Sequence, residues 1–256
     1  MITAGIDSGS RALKIVLWNA EEGRVLARTV VEQKLESKSL ANNVFDDVIG
    51  SLNLKKSDIA KVVATGFARN SVDFASATIT EITCHARGVH KLVPEARAVV
   101  EIGGQDSKFL HLDADGTVRD FAMNDRCAAG TGRFLEIVAE RFNISFSELG
   151  NLAEMSKHPA SISSMCVIFA ETEIIGLMAR GAKREDIVFG IQLSMANRIS
   201  AMAGRSVTPP IVFTGGVALI KGMDLSLSRA FKLPVQVAPH PQFTGALGAA
   251  ILATRL

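Results

Sequence analysis

Short apolar runs alternate with glycine turns in the first part of the chain, a pattern typical of α/β proteins. Residues 2–6 and 13–18 are apolar and β-rich, and the turn Asp7-Ser8-Gly9-Ser10 lies between them. We therefore expect a strand on each side of this turn. Apolar positions and breakers further along predict a helix over 40–52, a buried strand over 61–65 that ends at Gly66, and a helix over 81–92.

The same plan starts again near residue 98. A strand over 98–102 and a strand over 107–112 flank the turn Gly103-Gly104-Gln105-Asp106, which indicates a weak internal duplication. Further predicted elements are strands over 118–123, 211–213 and 235–237 and helices over 131–142, 185–202 and 245–252. We infer two duplicated α/β lobes around a nucleotide cleft. Residues 1–95 plus 241–256 form the first lobe, and residues 96–240 form the second.

Composition excludes several classes of protein. The 256 residues carry a net charge of +2, with one Trp and no Tyr, so neither a basic surface nor a stacking platform for nucleic acid is expected. No apolar stretch is long enough to span a membrane, and the amino terminus lacks the basic region of a signal peptide. The odd number of cysteines, 3, argues against a disulfide scaffold. We expect a cytoplasmic protein.

Three glycine turns follow predicted strands, namely Asp7-Ser8-Gly9-Ser10, Gly103-Gly104-Gln105-Asp106 and Thr214-Gly215-Gly216. Glycine lets backbone N–H groups approach an anion closely, and the hydroxyls of Ser8 and Ser10 add donors. Lys14 would supply positive charge, and Asp7 would hold Mg²⁺ through water. Each turn alone is more typical of a tight hairpin. Three of them, without a Walker or dinucleotide-binding motif, favour a phosphate clamp for a nucleotide.

The three cysteines differ in their surroundings. Cys84 lies inside a predicted helix and is interpreted as a packing residue. Cys127 follows Arg126 just before a helix, a position that favours a thiolate, and Cys166 precedes an apolar run. Neither has a C-x-x-C partner. Spacing alone leaves two alternatives open: buried packing cysteines, or two ligands from each of two chains around a [4Fe–4S] cluster.

These motifs together resemble one family. The chain is similar along essentially its whole length to the activator of 2-hydroxyacyl-CoA dehydratases, in the family that includes the ATPase subunits of benzoyl-CoA reductase. The most specific motif is the segment 124–136, which begins Asn-Asp-Arg-Cys-Ala-Ala-Gly-Thr-Gly. The other matching motifs are 5–10, 102–108, Met165-Cys166 with 169–171, 214–217 and 242–249.

The resemblance implies an actin-like ATPase fold of the sugar kinase/Hsp70/actin superfamily. It also implies a homodimer that holds one [4Fe–4S] cluster, with Cys127 and Cys166 as ligands from each chain, and that binds ATP or ADP with Mg²⁺. Such a protein passes one electron, driven by ATP hydrolysis, to a partner iron–sulfur acyl-CoA dehydratase or reductase. Ferredoxin or flavodoxin would be its electron donor.

Several individual residues have expected roles, and most of these roles have an alternative. Gln105 or Asp106 is expected to position the attacking water, although Asp106 alternatively only caps its turn. The loop that contains Gly132 is expected to border the phosphates, and Gln242 to lie by the adenosine or in a plain loop. The family usually has Asp where this chain has Glu101, so a metal-positioning role for Glu101 is in doubt. Glu171 and Glu173 are expected either to support the cluster loop or the dimer, or to have only a structural or solvated role.

Two other functions fit the same superfold. A small-molecule kinase would need a substrate pocket with a catalytic aspartate, and the short chain leaves little room for it. A nucleotide-dependent scaffold would need neither a cluster nor an acceptor. The presence of iron separates the activator from both.

Overall fold

Two five-stranded sheets organise the protein in the computed structural model, which describes residues 1–33, 37–163, 166–204 and 206–256. Met165 of the second cysteine motif lies outside the described residues. The strands are β1 (Ile2–Ser8), β2 (Ala12–Asn19), β3 (Arg24–Glu32), β4 (Ile59–Thr65), β5 (Ala77–Thr78), β6 (Ala98–Ile102), β7 (Ser107–Leu112), β8 (Val118–Asn124), β9 (Ile211–Thr214) and β10 (Val235–Val237). The helices are α1 (Ser37–Ser51), α2 (Glu81–Leu92), α3 (Gly132–Phe142), α4 (Glu148–Met155), α5 (Val167–Ala179), α6 (Arg184–Ala203), α7 (Met223–Phe231) and α8 (Thr244–Ala253).

The two sheets share one topology. The first has the order β3-β2-β1-β4-β5, and the second has the order β10-β9-β6-β7-β8, which is the same arrangement read from the other edge. In each sheet the first strand pairs antiparallel with the next strand and parallel with a later one, as β1 does with β2 and β4 and β6 does with β7 and β9. The predicted duplication is therefore confirmed at the level of strand order and direction.

The first compact unit consists of residues Met1–Ala96, Leu112–Arg119 and Ala238–Leu256. Strand β1 is buried on both faces: Ala4 and Ile6 pack in one core with α1, while Thr3 faces α8 and donates its hydroxyl to the Ala250 carbonyl at 2.7 Å. This alternation follows from the two-residue period of a strand. The carboxyl end of β1 is consequently fixed between α1 and α8.

Helix α8 packs against α2 at unusually close range. A Cβ on Gly248 would lie 1.7 Å from the Cys84 carbonyl oxygen, and a Cβ on Gly88 would lie 1.9 Å from the Thr244 carbonyl oxygen. Only glycine permits this approach without moving a backbone. The small-residue composition of α8 is therefore explained by its close packing against α2.

Substitution of Gly248 tests this packing. We expect Gly248→Ala to lower the free energy of unfolding by about 3 kcal/mol, because the added methyl group overlaps main-chain atoms that cannot turn aside. A Cβ on Gly50, in α1, meets nothing within 4 Å. The control Gly50→Ala should therefore leave stability unchanged or slightly raised. Urea unfolding of both variants measures the difference, and equal effects would contradict the packing argument.

The second compact unit consists of residues Arg97–His111 and Asp120–Val237. Its core joins β6 and β9 to α3, α4, α6 and α7, with Val100, Phe134, Ile191 and Phe213 among the buried residues. Phe134 lies in the first turn and a half of α3 and is 2% exposed, so it fixes the amino-terminal end of this helix to the core. The described residues contain no helix that is long and apolar enough to cross a membrane.

Several elements were not predicted from sequence. Strand β3 is an edge strand with many exposed positions, so its apolar pattern is weak. Helix α5 is apolar apart from three consecutive residues, Glu171 to Glu173, so it shows no clear helical period. Helix α7 begins with alternating polar and apolar residues that resemble a strand. Helix α4 is short, with two turns only. In each case the period that sequence reading depends on is missing.

Candidate nucleotide and cysteine sites

The first glycine turn begins at the carboxyl end of β1 with a partly buried ion pair. The register places Asp7 opposite Lys14 on β2, and Lys14 Nζ lies 3.1 Å from Asp7 Oδ2. Asp7 and Ser8 are buried, whereas Gly9 and Ser10 are partly exposed. The turn therefore presents backbone N–H groups beside a carboxylate and an ammonium, which suits a phosphate and a hydrated cation.

The second glycine turn repeats this pair in the second unit. Glu101 at the end of β6 lies opposite Lys108 on β7, and Lys108 Nζ is 3.0 Å from Glu101 Oε2 and 2.6 Å from Asp106 Oδ2. Lys108 is 2% exposed and Glu101 is 4% exposed, so each charge is stabilised by its partner rather than by water. Glu101 is thus the structural counterpart of Asp7. Gln105, at the tip of the turn, is exposed.

A Thr-Gly pair borders each of these carboxylates. Thr65 pairs with Asp7 across β4 and β1, and Thr214 pairs with Glu101 across β9 and β6. The glycines that follow, Gly66 and Gly215, have φ of +96° and +93°. A Cβ would lie 2.6 Å from Asp7 Oδ1 at the first and 2.8 Å from Glu101 Oε1 at the second. Glycine is required at both positions for its conformation and for space.

Helices α2 and α8 enclose Asp7 with buried polar groups. His85 Nδ1 lies 2.9 Å from the Thr244 hydroxyl oxygen, and both residues are buried. A Cβ on Gly245 would lie 3.1 Å from His85 Nε2 and 3.2 Å from Asp7 Oδ2, so this glycine leaves the space between the two side chains open. Gln242 lies just before α8 in a 3₁₀ turn (Pro241–Phe243) and is partly exposed.

Cys84 is a packing residue in this environment. Burial raises the pKa of its thiol to about 12, and the negative charges of Asp7 and Glu81 act in the same direction. Since its side chain is fully buried and protonated at neutral pH, it is unsuited to metal binding.

The second glycine turn is hydrogen-bonded to the start of α3. The N–H of Gly132 donates to the Gly103 carbonyl at 2.9 Å, and the N–H of Arg133 donates to the Gly104 carbonyl at 2.8 Å. These bonds use two of the N–H groups that a helix leaves unpaired at its amino-terminal end. Gly132 is therefore bound to the turn itself, and a shift of the turn is transmitted to α3.

Cys127 and Cys166 occupy similar positions in the second unit. Both are exposed, Cys127 directly before a 3₁₀ turn (Ala128–Gly130) and Cys166 directly before α5. Helix amino-terminal ends carry partial positive charge, which favours anionic ligands. Among the residues that the structure describes, no three His, Cys, Asp or Glu side chains are grouped to hold a metal.

Two acidic side chains support the segments around the cysteines. Glu173 accepts hydrogen bonds from the Ser163 N–H at 3.0 and 3.1 Å and from its hydroxyl at 2.8 Å. Glu171 pairs with Arg141 and so joins α5 to the end of α3. The helices that follow Cys127 and Cys166 are therefore connected by an ion pair.

Helix α5 presents an exposed apolar surface beyond Cys166. Ile168 is 73% exposed and Phe169 is 68% exposed, and Ile175 and Met178 are also exposed. Large apolar side chains clustered on one exposed helix commonly mark a contact with another macromolecule.

Sequence reading missed several residues of these sites. Lys108, Thr65 and Gly66 were not singled out as site residues, although the repeated carboxylate–lysine spacing of 7 residues signals the ion pairs. Buried His85 and Thr244 carried no sequence signal, because they lie 159 residues apart and meet only through the packing of α2 on α8.

Comparison with known proteins agrees with this geometry. The model of the BadF/BadG/BcrA/BcrD ATPase family matches residues 4–253. The chain belongs to this ATPase family. It is 42% identical to the 2-hydroxyisocaproyl-CoA dehydratase activator of Clostridioides difficile, over 99% of this chain and 95% of that protein. It is 38% identical to the (R)-2-hydroxyglutaryl-CoA dehydratase activating ATPase of Acidaminococcus fermentans, over 98% of this chain and 96% of that protein.

Solved structures identify the fold. The activator of the 2-hydroxyisocaproyl-CoA dehydratase from Clostridium difficile, determined with bound ADPNP, superposes with a TM-score of 0.93 at 41% identity and covers 100% of this chain and 95% of its own. A ROK family glucokinase from Streptomyces griseus superposes with a TM-score of 0.59 at 15% identity, a likeness of fold alone. The predicted actin-like ATPase fold and the predicted family are confirmed.

Proposed function

We propose that this ATPase is an activator that passes one low-potential electron to an iron–sulfur acyl-CoA dehydratase or reductase. The observation that carries the proposal is the pair of hydrogen bonds from Gly132 and Arg133 to Gly103 and Gly104, because it joins a phosphate-type turn to the segment that begins at Cys127. Relatives named as dehydratase activators, which match along nearly the whole chain, support the same function.

The nucleotide in this proposal is ATP or ADP. The N–H groups of Gly9 and Gly103 already donate to the Ala12 and Asp106 carbonyls, so other N–H groups of these two turns and of the turn at Gly215 would bind phosphate oxygens. Ser8, Ser10 and Gly216 would be further contacts. Lys14 would supply charge, and Gln242 would lie by the adenosine. The solved relative with bound ADPNP supports a nucleotide site in this fold.

Asp7 is the proposed magnesium-holding carboxylate. Its Oδ1 lies beside Gly66, and its Oδ2 is paired with Lys14, so the side chain is oriented before any cation binds. Mg²⁺, when bound, neutralises phosphate charge. Exposed Gln105 would orient the attacking water, because Asp106 is already held by Lys108 at 2.6 Å. Glu101, paired with the same lysine, would stabilise the turn.

Cys127 and Cys166 are the proposed ligands of one [4Fe–4S] cluster, together with the same two cysteines of a second copy. The cluster, when bound, supplies a one-electron redox centre. Each chain would supply two exposed cysteines to this half-site, Cys166 directly before α5 and Cys127 directly before a 3₁₀ turn. The exposed apolar residues of α5, which begins directly after Cys166, support a homodimer that meets near this helix.

The proposed coupling needs only moderate energy. If ATP and ADP favour different positions of Gly103 and Gly104, the hydrogen bonds at Gly132 and Arg133 would move the start of α3, and with it the Gly132 end of the segment that begins at Cys127. For a one-electron couple about 59 mV corresponds to roughly 1.4 kcal/mol, so a few kcal/mol shifts the potential by on the order of 100–200 mV. An electron from ferredoxin or flavodoxin would then reach a partner of lower potential.

Anaerobic purification with iron and acid-labile sulfide analysis tests the proposed cluster. We expect about four of each per dimer, as one [4Fe–4S] cluster requires. Sedimentation of the same sample measures the oligomeric state. An iron-free protein that still hydrolyses ATP would contradict the proposal and favour a kinase or a nucleotide-dependent scaffold, which phosphoryl transfer to an added acceptor would distinguish.

A further inference from the structure

Asn124 forms two hydrogen bonds with the main chain of Cys127, one through the NH₂ group and one through the carbonyl oxygen of its side-chain amide. Its Nδ2 donates to the Cys127 carbonyl oxygen at 2.7 Å, and its Oδ1 accepts from the Cys127 N–H at 3.1 Å. Asn124 is the last residue of β8, a strand of the second sheet. The cysteine is therefore attached to the edge of that sheet by a pair of hydrogen bonds.

Only a side-chain amide of this length can make both bonds. A carboxylate accepts from the N–H but repels the carbonyl oxygen, and an aliphatic side chain does neither. The space around Asn124 is limited as well, because a Cβ on Gly130 would lie 3.3 Å from its Nδ2. The glycine within the cysteine segment thus leaves room for this amide.

The other end of the same segment is attached elsewhere. Gly132 and Arg133 are bound to Gly103 and Gly104 of the second glycine turn. The residues from Cys127 to Gly132 are consequently held at one end by the sheet and at the other by the turn. A displacement of the turn would then change the conformation of residues 127–132, because one end of this segment moves with the turn while the other end stays attached to the sheet.

We propose that Asn124 is a positioning residue that anchors Cys127 to β8, so that the nucleotide bound at the second turn changes the surroundings of Cys127. The inference rests on the proposed function in one respect, namely that the second turn binds the nucleotide. It does not depend on the presence of iron.

Hydrogen–deuterium exchange resolved to single amides tests this role in the full-length protein, with ADP and with a non-hydrolysable ATP analogue. In the wild type we expect the Cys127 amide to be protected, with rates that differ about threefold or more between the two nucleotides. In Asn124→Ala we expect exchange at Cys127 to be about tenfold faster, because its acceptor is lost. The difference between the nucleotides should also disappear, while nucleotide affinity is retained.

Two further variants make the outcome decisive. Asn124→Asp retains an acceptor for the Cys127 N–H and should protect that amide more than alanine does. Asn151→Ala, at an exposed position of α4 in the same unit, removes the same group and should change neither rate. Unchanged protection or retained nucleotide dependence in Asn124→Ala would overturn the inference, and equal wild-type rates with the two nucleotides would overturn the coupling. Iron analysis of the same samples tests the proposed cluster independently of the role of Asn124.

Discussion

Substituting either exposed cysteine with serine should remove the iron from the protein. We expect Cys127→Ser and Cys166→Ser each to lower iron from about four to less than one atom per dimer, because each change removes two of the four thiolates of a shared cluster. Anaerobic purification followed by iron and sulfide analysis and absorption spectra measures the loss. ATP binding, which depends on other residues, should persist in both variants.

Cys84→Ser provides the matched control. Cys84 is buried, and its raised pKa keeps the thiol protonated, so the same substitution there should leave the iron content unchanged. Its stability is expected to fall modestly, since a hydroxyl replaces a packed sulfur. Iron retained in both Cys127→Ser and Cys166→Ser would contradict the ligand assignment, and iron lost in Cys84→Ser would move it to the first unit.

Removing the charge of Asp7 should nearly abolish ATP hydrolysis. We expect Asp7→Asn to lower the rate about 100-fold, because the carboxamide is a poorer partner for hydrated Mg²⁺ and leaves Lys14 without its opposing charge. The measurement is steady-state phosphate release over a range of Mg²⁺ concentrations. A weaker apparent affinity for Mg²⁺ should accompany the lower rate.

Asp47→Asn is the control for this substitution. Asp47 lies on the exposed side of α1, so its neutralisation should leave hydrolysis at the wild-type rate. Thermal unfolding of Asp7→Asn shows whether the partly buried ion pair of Asp7 with Lys14 is also needed for stability. Hydrolysis by Asp7→Asn within threefold of the wild type, in a folded protein, would contradict the magnesium assignment.

The fold was predictable where the sequence carries a clear period. Strand β6 and helix α2 were placed with their observed bounds, because one is a short apolar run before a glycine turn and the other has an amphipathic pattern that ends before Pro94. Helix α5 was missed for the opposite reason: apart from Glu171 to Glu173 it is apolar, and several of its large apolar side chains are exposed, so no amphipathic pattern marks it. Exposed apolar side chains remove the contrast between a polar and an apolar face on which the prediction of a helix from sequence depends.

The candidate site was predictable only at the level of its turns. Glycines beside carboxylates mark the ends of β1 and β6, so Asp7 and the turn after Glu101 were found. The pairing of Lys108 with two carboxylates and the contact of His85 with Thr244 depend on strand register and helix packing. Asn124 was part of a recognised motif, yet its hydrogen bonds to Cys127 became visible only with the backbone in place.

The central claim is that ATP drives one electron from this protein to an iron–sulfur partner. The most direct measurement mixes the anaerobically reduced protein with an oxidised 2-hydroxyacyl-CoA dehydratase component and follows both redox centres by electron paramagnetic resonance. Samples contain Mg²⁺ with ATP, ADP or a non-hydrolysable ATP analogue. We expect transfer of about one electron per dimer with ATP and none with ADP. Equal transfer with ATP and ADP, or no transfer with ATP, would contradict the proposed function.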